Sequence, residues 1–214
     1  MPSFPSRRGA RGLRIRVFGT IMGAVPLLES SVTGRTATNA VDWLQWCEFR
    51  ARKVESLRIL FVCTGNTCRS PMAEASFRHV AAQKVGCDPE KLRENGVDVF
   101  SAGIAAAENF PASNYAVEIM KEDGVDLSQH LSRLVSEDMQ ECSDAIFAMT
   151  SSHLAVLHNA RPDLADRMSL LGEEIDISDP IGGTLDEYRQ CADQITNCVE
   201  RIVLQLDLKD SAGS

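Results

Sequence analysis

Ile59-Leu60-Phe61-Val62-Cys63-Thr64-Gly65-Asn66-Thr67-Cys68-Arg69-Ser70-Pro71 is the stretch on which the reading of this 214-residue chain turns. Its first four residues are a continuous apolar run, as expected of a central parallel strand buried on both faces. The segment after it carries Gly65 and Asn66, the residue types most tolerant of left-handed backbone, so a tight loop is expected there. Pro71 is expected at the first helical position, where its missing N–H costs nothing, of a helix over 71–85. Strand, tight loop and helix follow each other without a spacer.

The same alternation continues outward. Strands are expected over 97–101, 145–148 and 168–171, and helices over 113–123, 136–141 and 152–159. The last helix should begin with Thr184 as N-cap and Glu187 three residues on, a capping box. Its apolar stripe reads Leu185, Tyr188, Ala192, Ile195, Val199, Ile202 and Leu206, at helical steps of three and four. Strands alternating with helices imply right-handed crossovers. The fold expected is therefore α/β: a small, doubly wound, four-stranded parallel sheet of flavodoxin-like type with helices on both faces. Ligands of such sheets bind beyond the carboxyl ends of the strands, which directs attention to the loops after strands one, two and four.

The loop after strand one is built to hold an anion. Left-handed backbone turns successive N–H groups inward as a nest, and the following helix adds the positive end of its dipole. Arg69 can close the ring with a planar fork matched to two phosphate oxygens. Cys63 then sits in a positive concavity, the setting in which a thiol becomes a nucleophile, and Ser70 can donate a hydrogen bond to its sulfur. A second Cys-x5-Arg pair, Cys87 with Arg93, encloses Asp88-Pro89-Glu90-Lys91-Leu92, which lacks Gly and carries acid where an anion would sit. No Gly-Lys-Ser/Thr is present for a Walker A loop. An iron–sulfur reading of Cys63 and Cys68 fails because Pro71 stands where the next ligand belongs.

A matching acid lies after strand four, in Asp179-Pro180-Ile181-Gly182-Gly183. Attack by a thiolate on phosphorus needs a proton for the departing atom, and Asp179 is on the correct edge of the sheet to supply it. Asp176 is the competing carboxylate and lacks the flanking Pro.

Residues 63–74, Cys-Thr-Gly-Asn-Thr-Cys-Arg-Ser-Pro-Met-Ala-Glu, resemble the signature of the low-molecular-weight protein tyrosine phosphatase family. The Ser101-Ala102-Gly103 turn and the Asp179-Pro180 loop match it as well, so the resemblance spans residues 57–206. It implies that Cys63 attacks phosphorus to give a phosphocysteine, that Arg69 holds the oxygens, and that Asp179 is first the acid and then the base for water. It implies a phosphate-binding loop of Thr64, Gly65, Asn66, Thr67, Cys68 and Ser70, with Ser101 and His130 in supporting places. It implies no metal and no cofactor. The partner would be a phosphorylated protein, with inorganic phosphate as product and inhibitor.

Two features bear on the substrate, phosphotyrosine or phosphoarginine. Tyrosine-directed members commonly carry an aliphatic residue where Thr67 stands, and Thr67 with Asp-Pro-x-Gly-Gly is closer to the bacterial protein-arginine-phosphatase branch. Thr67 therefore leans the reading to phosphoarginine. Ala105 and Ile181 depart from that branch, which tends to have aromatic pocket walls. Two rivals compete with the phosphatase reading. An arsenate reductase of the same fold would need resolving cysteines after the third strand, and Met149-Thr150-Ser151-Ser152-His153 holds none. A non-catalytic phosphate-binding or redox-sensing module could lose Cys63, Arg69 or Asp179, and all are present.

Composition limits the partners further. Residues 57–214 carry 13 basic and 26 acidic side chains, a balance that repels nucleic acid. No apolar run reaches the ~18–20 residues that span a bilayer, so no membrane is expected. Seven cysteines, an odd number without a CxxC pair, suit a reducing, cytoplasmic setting. Residues 1–56, with nine basic and four acidic side chains, form a basic leader expected to be disordered or a short helix, with 43–49 as its amphipathic segment. Cys68 could form a reversible, regulatory disulfide with Cys63. Cys142, Cys191 and Cys198 are expected as core thiols and Tyr188 as a core residue, while His79, His153 and His158 show no convergent partners in sequence.

Overall fold

The computed structural model describes residues 56–206 and 208. The expectations for the leader, including its segment 43–49, lie outside the described residues. Strand β1 (Leu57–Cys63) is followed by α1 (Arg69–Val85), a 3-10 turn (Pro89–Lys91), β2 (Val97–Gly103), α2 (Asn114–Glu122), α3 (Glu137–Cys142), β3 (Ala145–Ala148), α4 (Ser151–Ala160), a second 3-10 turn (Pro162–Arg167), β4 (Met168–Leu170) and α5 (Leu185–Gln205). The strands form one parallel sheet in the order β2-β1-β3-β4. The α/β expectation is met.

β1 is hydrogen-bonded on both sides, which is why its apolar run is unbroken. Its residues alternate between two cores with the period of a strand. Ile59, Phe61 and Cys63 join Phe77, Ile195 and Val199 of α1 and α5. Leu60 and Val62 join Ile146, Leu157 and Met168 on the opposite face. Phe61 stands between Phe77 and Phe147, with ring centroids 5.9 and 5.7 Å away. The parity of β1 therefore delivers Cys63 to the α1/α5 face at the end of the strand.

Three local expectations need correction. α1 begins two residues early, with Cys68 at its N-cap position, so Pro71 is its third residue and not its first. The cost is still nil, because no amide of the first turn has an intrahelical acceptor, and the first helical bond is Met72 N–H to Cys68 O, 3.1 Å. β2 runs on to Gly103, paired with Cys63. A Cβ at Gly103 would lie 2.4 Å from the Thr64 carbonyl, so only glycine lets this strand pass beneath the loop. Cys142 is exposed at the end of α3, which turns Met139 and Gln140 inward instead. Cys191, Cys198 and Tyr188 are buried as expected, and the capping box at Thr184 and Glu187 is complete.

Candidate active site

The loop between β1 and α1 closes on the sulfur of Cys63. Asn66 holds the left-handed conformation, φ 54°, and Gly65 does not, so the turn needs only one of the two expected residues. This geometry turns the Asn66 amide onto Cys63 Sγ at 3.2 Å. Ser70 Oγ lies 3.0 Å from the same sulfur. Cys63 is 3% exposed.

Asn66 is fully buried and every polar atom of its side chain is engaged. Nδ2 donates to Ser70 Oγ and to Ser101 Oγ, each at 2.9 Å. Ser101 Oγ in turn donates to the Glu74 carboxylate at 2.7 Å. Oδ1 accepts the Arg133 amide N–H at 2.9 Å. The Asn66 carbonyl bonds His130 Nε2 at 2.7 Å, which fixes that ring as the Nε2–H donor. Burial holds His130 below the ordinary histidine value, against the pull of this bond and of Glu74. A left-handed asparagine is thus pinned from four directions, which offsets the strain of its backbone.

Arg69 and Asp179 are brought together by the opposite side of the site. The Arg69 guanidinium is buried and donates through Nη1 to Ile177 O at 3.2 Å. Nη2 reaches Thr64 Oγ1 at 3.5 Å and forms an ion pair with Asp179 Oδ2. Asp179 is held outward by Pro180, with Oδ1 accepting Ile181 N–H at 3.3 Å, and its side chain is 43% exposed. Left-handed Gly182, φ 77°, then turns the chain into α5. Asp176, the competitor, is occupied elsewhere: its two oxygens accept Ser151 N–H and Oγ–H at 2.7 and 3.1 Å.

The remaining expected residues ring the loop. Cys68 is buried, with Ser113 Oγ at 3.4 Å and Tyr188 Oη at 3.3 Å from its sulfur. Burial pushes the Tyr188 phenol up to about 12. Cys63 and Cys68 are both free thiols. Thr67 anchors the start of α2 by accepting Ser113 N–H at 2.8 Å. Ala105 donates its N–H to Thr64 O at 3.0 Å and is exposed, as is Ile181. Neither provides an aromatic wall; the rings on the Cys68 side are Tyr188 and Tyr115, edge to face at 5.5 Å.

Sequence reasoning missed two residues and misjudged a third. Arg133 braces the loop with its backbone N–H and with Nε to Ser101 O at 2.8 Å, contacts that no motif advertises. Glu74 ends the signature stretch, and nothing in the sequence signals that it accepts from Ser101 Oγ, 27 positions away. His153, dismissed for want of partners, is 4% exposed and bonds Thr64 Oγ1 through Nε2 at 2.8 Å. Among the described residues no group of three or more His, Cys, Asp or Glu is placed to hold a metal ion, and no helix is long and apolar enough to cross a membrane.

A cysteine sulfur ringed by N–H and O–H groups, a buried arginine and a carboxylate at the rim can bind a phosphoryl dianion, attack it and protonate what departs. That fold and that site define a cysteine-dependent phosphoryl-transfer domain. Residues 58–212 match the low molecular weight phosphotyrosine protein phosphatase family, and the chain belongs to it. It is 37% identical over 153 residues to the protein-arginine-phosphatase of Bacillus subtilis, covering 69% of this chain and 95% of that one. It is 32% identical over 150 residues to a low molecular weight phosphotyrosine protein phosphatase of Schizosaccharomyces pombe, covering 67% and 92%. Among solved structures, a low molecular weight protein tyrosine phosphatase from T. tengcongensis superposes with a TM-score of 0.63 at 36% identity, over 71% of this chain and all of that one. The arginine phosphatase YwlE, as a Cys-to-Ser mutant with a phosphorylated active-site serine, gives 0.62 at 35% identity, over 70% and 95%. The chain is a hydrolase of this family.

Proposed function

We propose that this chain dephosphorylates protein side chains through a phosphocysteine at Cys63, with a preference for phosphoarginine. The observation that carries the reading is the position of Cys63 Sγ, which meets Asn66 N–H and Ser70 Oγ while Arg69 and Asp179 converge on the same loop.

In the first step Cys63 Sγ forms a bond to phosphorus as the bond to the leaving oxygen or nitrogen breaks, and the proton comes from Asp179. The loop amides and Arg69 carry the charge on the three equatorial oxygens. In the second step Asp179 takes a proton from water, the water oxygen attacks phosphorus, and the S–P bond breaks to return the thiolate and release inorganic phosphate. Ser70, donating to the sulfur, eases that departure. The phosphorylated serine in the YwlE mutant supports this assignment, since it places a phosphoryl group on the residue replacing a cysteine in a relative.

The lean to phosphoarginine rests on Thr67 and on the likeness to the arginine phosphatase of Bacillus subtilis. Exposed Ala105 and Ile181 weigh on the other side. Phosphate release from paired phosphotyrosine and phosphoarginine peptides decides the matter: faster turnover of the tyrosine peptide would overturn the preference, and no turnover of either would overturn the function. The seven cysteines suit a cytoplasmic location. We place the catalytic domain at 57–214 and residues 1–56 outside it, so removal of 1–50 should leave kcat unchanged, and a large loss with folding intact would contradict the division.

A further inference from the structure

His153 is not needed by the reaction above, yet both of its ring nitrogens are engaged and it is buried against the catalytic loop. It is the third residue of α4, and its backbone N–H donates to the N-cap hydroxyl of Thr150 at 3.3 Å. The ring then folds back so that Nδ1 lies 2.8 Å from Thr150 Oγ1. Nε2 lies 2.8 Å from Thr64 Oγ1, 89 positions away in the chain. Thr64 follows the nucleophile directly, and its hydroxyl is also the acceptor for Arg69 Nη2. One oxygen therefore joins α4, the start of the loop and the phosphate-gripping arginine.

We propose that His153 is a positioning residue of the phosphate cradle, acting through Thr64 to hold the Arg69 guanidinium in place when Asp179 lets go of it. Nη2 is shared between Thr64 and Asp179. A bound phosphoryl group draws Nη2 away from Asp179, which leaves Thr64 as the remaining protein contact of that nitrogen. Thr64 itself is exposed, and a threonine hydroxyl there would rotate freely without a second partner. His153 supplies that partner from a rigid helix end.

The hydrogen bonds suit a neutral ring. With Nε2 protonated, His153 donates to Thr64 Oγ1 and accepts the Thr150 hydroxyl at Nδ1. Thr64 Oγ1 then accepts from both His153 and Arg69, and its own proton is left over for an oxygen of the ligand. The charged groups facing the ring are Arg69, which resists a second cation, and Asp179 and Asp176, which favour one. Burial is the largest influence and acts with Arg69, so the ring stays neutral at neutral pH. A second neutral form, with Nδ1 protonated and Thr64 donating to Nε2, spends the Thr64 proton on the ring instead. An anion in the cradle selects the first form.

The inference rests on the phosphatase reading, and inorganic phosphate separates the two. Its inhibition of aryl phosphate hydrolysis should weaken by roughly tenfold in His153→Ala, as expected for a lost hydrogen bond that supports a charged group. Thr64→Val should cause a similar loss, and the double variant should be no worse than either single one. His153→Gln, whose amide can still reach Thr64 but not Thr150, should recover phosphate inhibition while remaining less heat-stable than wild type. A purely structural histidine would lower the melting temperature and leave phosphate inhibition alone. In wild-type protein, nitrogen NMR of the ring should show a neutral Nε2–H form when phosphate is saturating, a readout that stands even if the alanine variant fails to fold. Unchanged phosphate inhibition in folded His153→Ala, additive single losses, or a ring indifferent to phosphate would each overturn the proposal. A wild type that neither turns over nor is inhibited by phosphate would instead remove the reading beneath it.

Discussion

Arg69 and Asp179, 110 positions apart in the chain, form an ion pair across the mouth of the loop. The arginine is buried at the start of α1 and the aspartate half exposed on the segment before α5, so the pair ties the two walls of the site together. A buried guanidinium without an anion would be costly, and Asp179 provides one. A phosphoryl dianion competes for the same guanidinium. On the proposed mechanism, ligand entry exchanges one anion for another and frees Asp179 for proton transfer.

Asp179→Asn keeps the shape and removes the acid. Turnover of substrates with poor leaving groups should fall by about 10²–10⁴-fold, the usual worth of general acid catalysis. Activated aryl phosphates, which leave without a proton, should suffer much less. Equal slowing across a leaving-group series would show that the lost ion pair with Arg69 matters more than the lost proton.

Cys63→Ser should abolish turnover and retain phosphate binding, because the Asn66 amide, Ser70 and Arg69 all remain. Hydrolysis persisting above a few per cent of wild type, or a phosphoryl group trapped on Cys87, would assign the nucleophile elsewhere.

Much of this architecture is legible in the sequence. The sequence predicts β3 at the bounds it has, Ala145–Ala148, because a short apolar run between helical segments has few other uses. Cys63, Arg69 and Ser70 are close in sequence, so one loop had to gather them. The failures share a cause. Arg133 contributes a backbone N–H, which carries no sequence signal, and reaches Asn66 from 67 positions away. His153 meets Thr64 only because β3 lies beside β1 in the sheet, which delivers the start of α4 to the phosphate loop. Asn66 rather than Gly65 takes the left-handed turn because the amide side chain gains three partners there, a compensation visible only once Ser101 and Arg133 are in place.

The histidines set an acid limit on stability. Burial lowers both His130 and His153 from the ordinary value of 6.5, so the folded protein binds fewer protons than the unfolded chain below that pH. Their contribution is whole above about pH 6.5 and is lost as the pH falls beneath it, because protonation then favours the unfolded state. His130→Gln can keep a donor for the Asn66 carbonyl without a titrating ring. Denaturation midpoints measured between pH 5 and 8 should fall less steeply on the acid side for this variant than for wild type. Identical slopes would mean that His130 is not held neutral in the folded protein.

On the proposed reading, Thr67 is the residue expected to discriminate between the two candidate substrates. Its carbonyl is committed to Ser113 N–H, but among the described residues its hydroxyl has only the sulfur of Cys68 at 3.7 Å, a weak contact that leaves it able to accept from a substrate. Phosphoarginine brings a guanidine group beside the transferred phosphorus, and an N–H left dry and unpaired there costs about 1–3 kcal/mol. Phosphotyrosine brings a flat apolar ring, for which an aliphatic side chain gains by burial at about 25 cal/mol per Å². Thr67→Ile preserves the branched shape and the backbone bond to Ser113 while deleting the acceptor. It should lower kcat/KM for phosphoarginine peptides by roughly tenfold, since 1.4 kcal/mol is a factor of ten, with phosphotyrosine turnover unchanged or raised. Ile181 and Ala105 are exposed and not aromatic, so on this reading the hydroxyl at Thr67 is expected to carry more of the discrimination than it would in a walled pocket. If both substrates respond alike to Thr67→Ile, the arginine preference does not reside in this side chain, and the choice passes to residues beyond the loop.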